Sequence, residues 1–219
     1  MLESVARWKD VAQAELDKLG APLPVEHVLA IMQRESGGKP GAVNPSSGAS
    51  GLMQVMPIAL TDYNQNHKVK YTMAQLRDKS AHGAAIQIRV GAWILARFVQ
   101  SAYRYIKKRV GVVALDDLIR IADTFYAAGP GAARRRLDKI MPTWANVRSA
   151  FPQWDRVGPA ELVWNRSNEW GASWDLPRID HWLEGNIVVD QQKAARGALI
   201  GVLLILAAWW WFTKQRIKK

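Results

Sequence analysis

The sequence predicts a mainly α-helical protein. Apolar residues recur at three- and four-residue spacing, glycines and prolines punctuate those runs, and no stretch alternates apolar and polar residues as a strand would. Behind this helical body comes a Trp/Pro-rich segment and then one C-terminal transmembrane helix. At 219 residues and 49% hydrophobic content, the chain can bury one good core and carry an appendage.

The elements follow in order. Val5, Trp8, Ala12, Leu16 and Leu19 form one face of an N-terminal helix. Pro24, a residue favoured at helix starts, opens a second helix whose apolar face is Val25, Val28, Leu29 and Met32, which puts Glu35 at its end. Gly37, Gly38, Pro40 and Gly41 cannot continue that helix, so the chain turns away there. Ser80 precedes a long helix over 81–110, and Asp117 to Ala128 read as another. The expected divisions are a domain over 1–142, the Trp/Pro-rich segment over 143–193, the membrane helix over 194–213 and a basic tail over 214–219.

Glu35 is the candidate for chemistry. A carboxyl at the lip of a cleft, partly desolvated and near the negative end of its own helix, is expected to favour its neutral form. A neutral carboxylic acid can donate a proton to a glycosidic oxygen. No Asp or Glu lies between Ser36 and Thr61, whereas hydrolytic glycosidases place a second carboxyl within about 5 to 10 Å of the acid. Asp62 and Asp78 come later and need a structure to place them.

From Glu35 to Pro57 the chain resembles the active-site segment of the lysozyme-like soluble lytic transglycosylases. It carries Glu35-Ser36, Pro40, Ala42 with Asn44, then Gly48-Ala49, Gly51-Leu52-Met53-Gln54 and Met56-Pro57. Ile86 to Leu95 is similar to a second family segment, with Gln87 and Ile94 where Asn and Tyr are usual. Phe125-Tyr126-Ala127-Ala128-Gly129-Pro130-Gly131 is similar to a third, with Phe125 and Ala127 in place of its first Ala and its Asn. The resemblance implies a lysozyme-like fold and cleavage of the bond between N-acetylmuramic acid and N-acetylglucosamine in peptidoglycan. Glu35 would act as acid and then as base, leaving a 1,6-anhydromuramyl end. It further implies that Tyr126 hydrogen-bonds the acid, that Ser36 and Gln54 contact substrate, and that Met53 and Met56 floor a subsite. Packing is the other use open to the two Met residues. Gly48 and Gly51 read as backbone positions with positive φ. The alternatives are a hydrolytic muramidase of goose-lysozyme type, or a structural virion or membrane module with a vestigial cleft, for which Ala127 speaks.

Composition bounds the partners. With no cysteine and four histidines lacking ligand spacing, no metal or other cofactor is expected. The net charge of +11, with Lys107-Lys108-Arg109 and Arg134-Arg135-Arg136, comes without a nucleic-acid-binding signature, so those runs read as solvated helix faces and no nucleic-acid partner is expected. A basic surface suits anionic wall polymers and lipid headgroups. Gly197 to Phe212 is uncharged, about 24 Å long as a helix, and reaches membrane thickness with Ala194, Ala195 and Thr213 added and Arg196 snorkelling toward the headgroups. Trp209, Trp210 and Trp211 fit an interfacial belt, and the basic tail places the Glu35 domain on the far side from the cytoplasm. Residues Met1 to Asp10 contain no apolar signal core, so the expected route to the wall is carriage in a bacteriophage particle among other virion proteins, opening the wall for genome delivery, with lysis from within after membrane disruption and a cellular secretion or conjugation apparatus as the other routes. Trp144, Trp154, Trp164, Trp170, Trp174 and Trp182 are expected to pack on the domain, a membrane interface or a neighbour, with sugar stacking the lesser use.

Overall fold

The computed structural model describes residues 1–151, 153–155, 157–175, 177–179 and 181–183. The expected membrane helix (194–213) and basic tail (214–219) lie outside the described residues, and among the described residues no helix is long and apolar enough to cross a membrane. Met1–Leu176 forms one compact unit, so most of the Trp/Pro-rich segment packs into the helical body that sequence reasoning ended at 142. In the second unit, Pro177–Lys219, residues 177–179 and 181–183 are helical.

The first unit is built of helices α1 (Glu3–Ala6), α2 (Lys9–Leu19), α3 (Val25–Ser36), α4 (Pro57–His67), α5 (Ala81–Val110), α6 (Leu115–Ala128), α7 (Pro130–Leu137), α8 (Trp144–Ala150) and α9 (Val157–Glu169). Strand pairing among the described residues is limited to isolated bridges from Ser50 to Val43 and to Val55. The centre is α5, packed against α6, α2 and α4. Its first half, from Gly83 to Ala96, is buried nearly all round, whereas its second half buries only Val99, Ala102, Tyr103 and Ile106, the spacing of a one-sided helix. Ser80 caps it by accepting from Gly83 N–H at 3.1 Å, and Lys107, Lys108 and Arg109 sit in the last turn, where cations suit the helix dipole.

The single N-terminal helix expected from the sequence is broken in two at Arg7 and Trp8. Tertiary bonds explain the break: Trp8 Nε1 donates to Gly38 O at 3.1 Å and Ser4 Oγ to Gly37 O at 2.8 Å. A Cβ on Gly38 would lie 2.2 Å from Ser4 O, so α1 sits directly on the glycine turn that ends α3. That turn begins with Gly37 at φ 62°, the left-handed conformation that closes helices.

Two polar links tie the layers. His27 Nε2 lies 3.0 Å from Asp123 Oδ1 and His27 Nδ1 3.4 Å from Ser167 Oγ, all fully buried, joining α3 to α6 and α9. Arg89 donates to both carboxylate oxygens of buried Glu15, at 2.6 and 3.1 Å, joining α5 to α2. Burial alone would push the Glu15 carboxyl up, but the hydrogen bonds from Arg89 and Lys18 outweigh it and hold the carboxyl below its ordinary value. The folded state therefore binds this proton less readily than the unfolded chain. Its stabilisation is present above the ordinary Glu value, about 4.3, and is lost as pH falls through the lower folded one. Glu15→Gln is expected to flatten the fall of the urea midpoint in that acid range, and an unchanged slope would contradict the account.

The Trp-bearing segment packs as aromatic faces on cations and rings. Arg120 lies between Trp144, at 5.5 Å, and Trp164, at 5.4 Å, while Trp164 stacks on Trp174. Trp174 meets His27 edge-on at 5.1 Å. The Arg134 to Arg136 run is only in part the solvated face that was expected. Arg134 bonds Ser101 Oγ at 2.6 Å, and Arg136 lies over Trp154 at 4.9 Å.

Candidate active site

The residues between α3 and α4 form a loop whose shape comes from its own polar groups. Asn44 Oδ1 accepts from Ser46 and Ser47 N–H at 3.0 and 3.2 Å, folding the tip into an Asx turn. Ser50 and Val55 exchange both backbone hydrogen bonds, at 3.1 and 2.9 Å, around a tight turn. That turn needs Gly51 at φ 82° and puts Gln54 at φ 47°. Gly51 has a second constraint, because a Cβ there would lie 2.7 Å from both Gln87 Oε1 and Leu76 O.

The loop is pinned at two points. Ser36 Oγ lies 2.8 Å from the Leu52 carbonyl, to which it donates, and accepts from Gly38 N–H at 3.2 Å. From the other side, fully buried Gln87 accepts from Leu52 N–H at 2.8 Å and donates to Asp78 O at 2.7 Å.

Loop and helices together enclose an open cleft of about 750 Å³, lined by Arg34, Glu35, Gln54, Met56, Tyr126 and Ala127 among others, with Pro159 of α9 on its wall. Glu35 is the one carboxylate among the described lining residues. Its Oε1 takes both Arg34 Nε, at 3.0 Å, and Arg34 Nη2. Neighbours in sequence do not normally face each other on a helix, and this pair forms in the last turn of α3, one residue before its end at Ser36. Asp62 is half exposed, pairs loosely with Arg97 at 3.9 Å and lines an adjoining groove with Trp93 and Phe98. Asp78 is taken up by Ser80, whose N–H and hydroxyl it accepts at 2.9 and 2.7 Å.

The expected substrate contacts separate into two groups. Gln54 and Met56 line the cleft, Gln54 with its Nε2 given to Gly51 O at 3.1 Å and Ala42 O at 3.3 Å, and Met56 41% exposed. Met53 is corrected: its side chain is fully buried against Gly91 of α5. Ser36 is not among the residues lining the cleft, and its hydroxyl bridges α3 and the loop. Tyr126 lines the cleft, but its hydroxyl donates to Met53 O at 2.7 Å rather than to Glu35. Burial first, and then the nearby Glu35 charge, push the phenol well above its ordinary value, so it remains a donor. Tyr126→Phe is expected to destabilise by about 1 kcal/mol. It should lower kcat well short of the roughly 10²-fold that loss of a group acting on the acid would give. A melt and steady-state rates on the same variant check both.

Sequence reasoning missed two residues. Arg34 carried a signal, a cation beside the candidate acid at a helix end. Gln87 shows in the sequence only as a departure from the usual Asn, and nothing in its spacing points to the loop it holds.

No curated protein matches the chain. A family model described as the transglycosylase SLT domain matches residues 19–141, which takes in α3, the loop, α4, α5, α6 and α7. With more than half its length matched and a mainly helical body around the Glu35 cleft, the chain belongs to the transglycosylase SLT domain family.

Proposed function

We propose that the protein is a peptidoglycan lytic transglycosylase in which Glu35 does all the proton transfer. Glu35 protonates the oxygen leaving between N-acetylmuramic acid and N-acetylglucosamine, while the charge growing at C1 is spread over the muramyl N-acetyl group. The ionised Glu35 then takes the proton of the C6 hydroxyl as O6 closes on C1, which leaves a 1,6-anhydromuramyl end and consumes no water. Gln54 and Met56 are the proposed substrate contacts, and Tyr126 holds the turn that presents them. The observation that carries the reading is that Glu35 is the one carboxylate among the described residues lining the cleft. A hydrolase would use a second.

Digestion of purified sacculi, with the fragments weighed by mass spectrometry, tests this. Anhydro ends, one water lighter than reducing ends, are expected, and reducing ends alone would favour the muramidase reading.

The proposal extends to place. Residues 194–213 anchor the enzyme in a lipid membrane, and it acts from a virion on the host envelope. The uncharged run and its basic flank support the anchor. Pairing a wall-cutting domain with such an anchor suits a particle that must breach wall and membrane. Recovery of the chain with membrane lipid from purified particles is the expected result, and its absence from particles would end this extension.

A further inference from the structure

Arg34 and Glu35 are the only charged residues among those described lining the cleft, and they face each other. Two features mark this as a resting contact rather than a finished ion pair. A guanidinium normally meets a carboxylate fork to fork, using both oxygens. Here Nε and Nη2 both converge on Oε1. In addition, Arg34 Nη1 is buried with no hydrogen-bond partner, an unsatisfied donor on a side chain that lines the cleft. Leaving a charged donor in that state is unfavourable unless another acceptor arrives.

The proposed reaction requires Glu35 to carry a proton, and the guanidinium is in direct contact with one of the two carboxyl oxygens, Oε1. The substrate offers what would draw Arg34 away. Peptidoglycan glycan bears carboxylates, either on the lactyl ether of a peptide-free muramyl residue or on the stem peptide attached there. We propose that Arg34 is a specificity residue that is handed over on binding. In the free protein it rests on Glu35; in the complex it forms a two-pronged pair with a carboxylate carried by the glycan. Glu35, freed of the guanidinium, is then placed to act as the acid. The cleft thereby selects carboxylate-bearing strands over neutral ones, and only strands of that kind complete the site. This inference rests on the reading of Glu35 as the acid.

The test compares kcat/KM on intact sacculi and on amidase-stripped, peptide-free glycan, each before and after carbodiimide amidation of its carboxyls. The wild type should lose about tenfold or more on amidation, the size expected for a lost charged hydrogen bond. Loss on the stripped glycan assigns the lactyl carboxylate, and loss confined to intact sacculi assigns the peptide. Arg34→Gln should act equally on native and amidated material, with most of its deficit in KM. Arg34→Lys, which keeps the charge without the fork, should retain part of the preference. A preference that survives Arg34→Gln, or that is absent from the wild type, overturns the proposal. Binding to Glu35→Gln gives an arm independent of turnover: that variant should bind native glycan several-fold tighter than amidated glycan, and equal binding also overturns the handover. Should the wild type cut nothing, the lytic reading fails, and the binding arm still decides the role of Arg34.

Discussion

Glu35→Gln is expected to lower kcat on sacculi by about 10²- to 10⁴-fold, the range contributed by a positioned acid or base. The amide keeps the shape and the oxygen that Arg34 contacts but carries no transferable proton. Since Glu35 sits at the cleft and not in the core, the melting temperature should change little. A loss of activity with an intact melt assigns the effect to chemistry, whereas a variant retaining half or more of the wild-type rate would remove Glu35 from the mechanism.

The largest effect on stability is expected from Gln87→Leu. One amide bridges two backbone groups from different segments, Leu52 N–H on the loop and Asp78 C=O before α5. Leucine fills similar volume and satisfies neither. Two orphaned buried groups at about 1–3 kcal/mol each give a destabilisation of about 2–6 kcal/mol. Because Leu52 is also the carbonyl that Ser36 holds, the same change should loosen the turn bearing Gln54 and raise KM. Urea melts and steady-state kinetics check this, and a loss below about 1 kcal/mol would show that water or a shifted loop replaces the bridge.

Much of this was legible in the sequence because it depends on local rules. The helical period placed Val25, Val28, Leu29 and Met32 inside α3, and the Gly37-Gly38 pair ended that helix where a left-handed residue was needed. Ser80 marked the start of α5 by its capping chemistry. What remained hidden depends on partners distant in sequence. The break at Trp8 follows from Gly38, thirty residues on. Whether Met53 or Gln54 faces the cleft depends on the φ values of a single turn, which no periodicity reports. Tyr126 had a plausible acceptor in Glu35, and its bond to Met53 O appears only once α6 is laid against the loop. The tryptophans of α8 and α9 read as a separate segment because prolines interrupt them, but Arg120 and His27 supply their packing partners.

The central claim is that one carboxyl serves as acid and then base, with the muramyl C6 hydroxyl as nucleophile and no water in the reaction. Digesting sacculi in ¹⁸O-labelled water and weighing the new glycan ends measures this directly. Anhydro ends free of the label are the predicted result. Label at C1 of new reducing ends would mean that water attacks, and that a second group activates it.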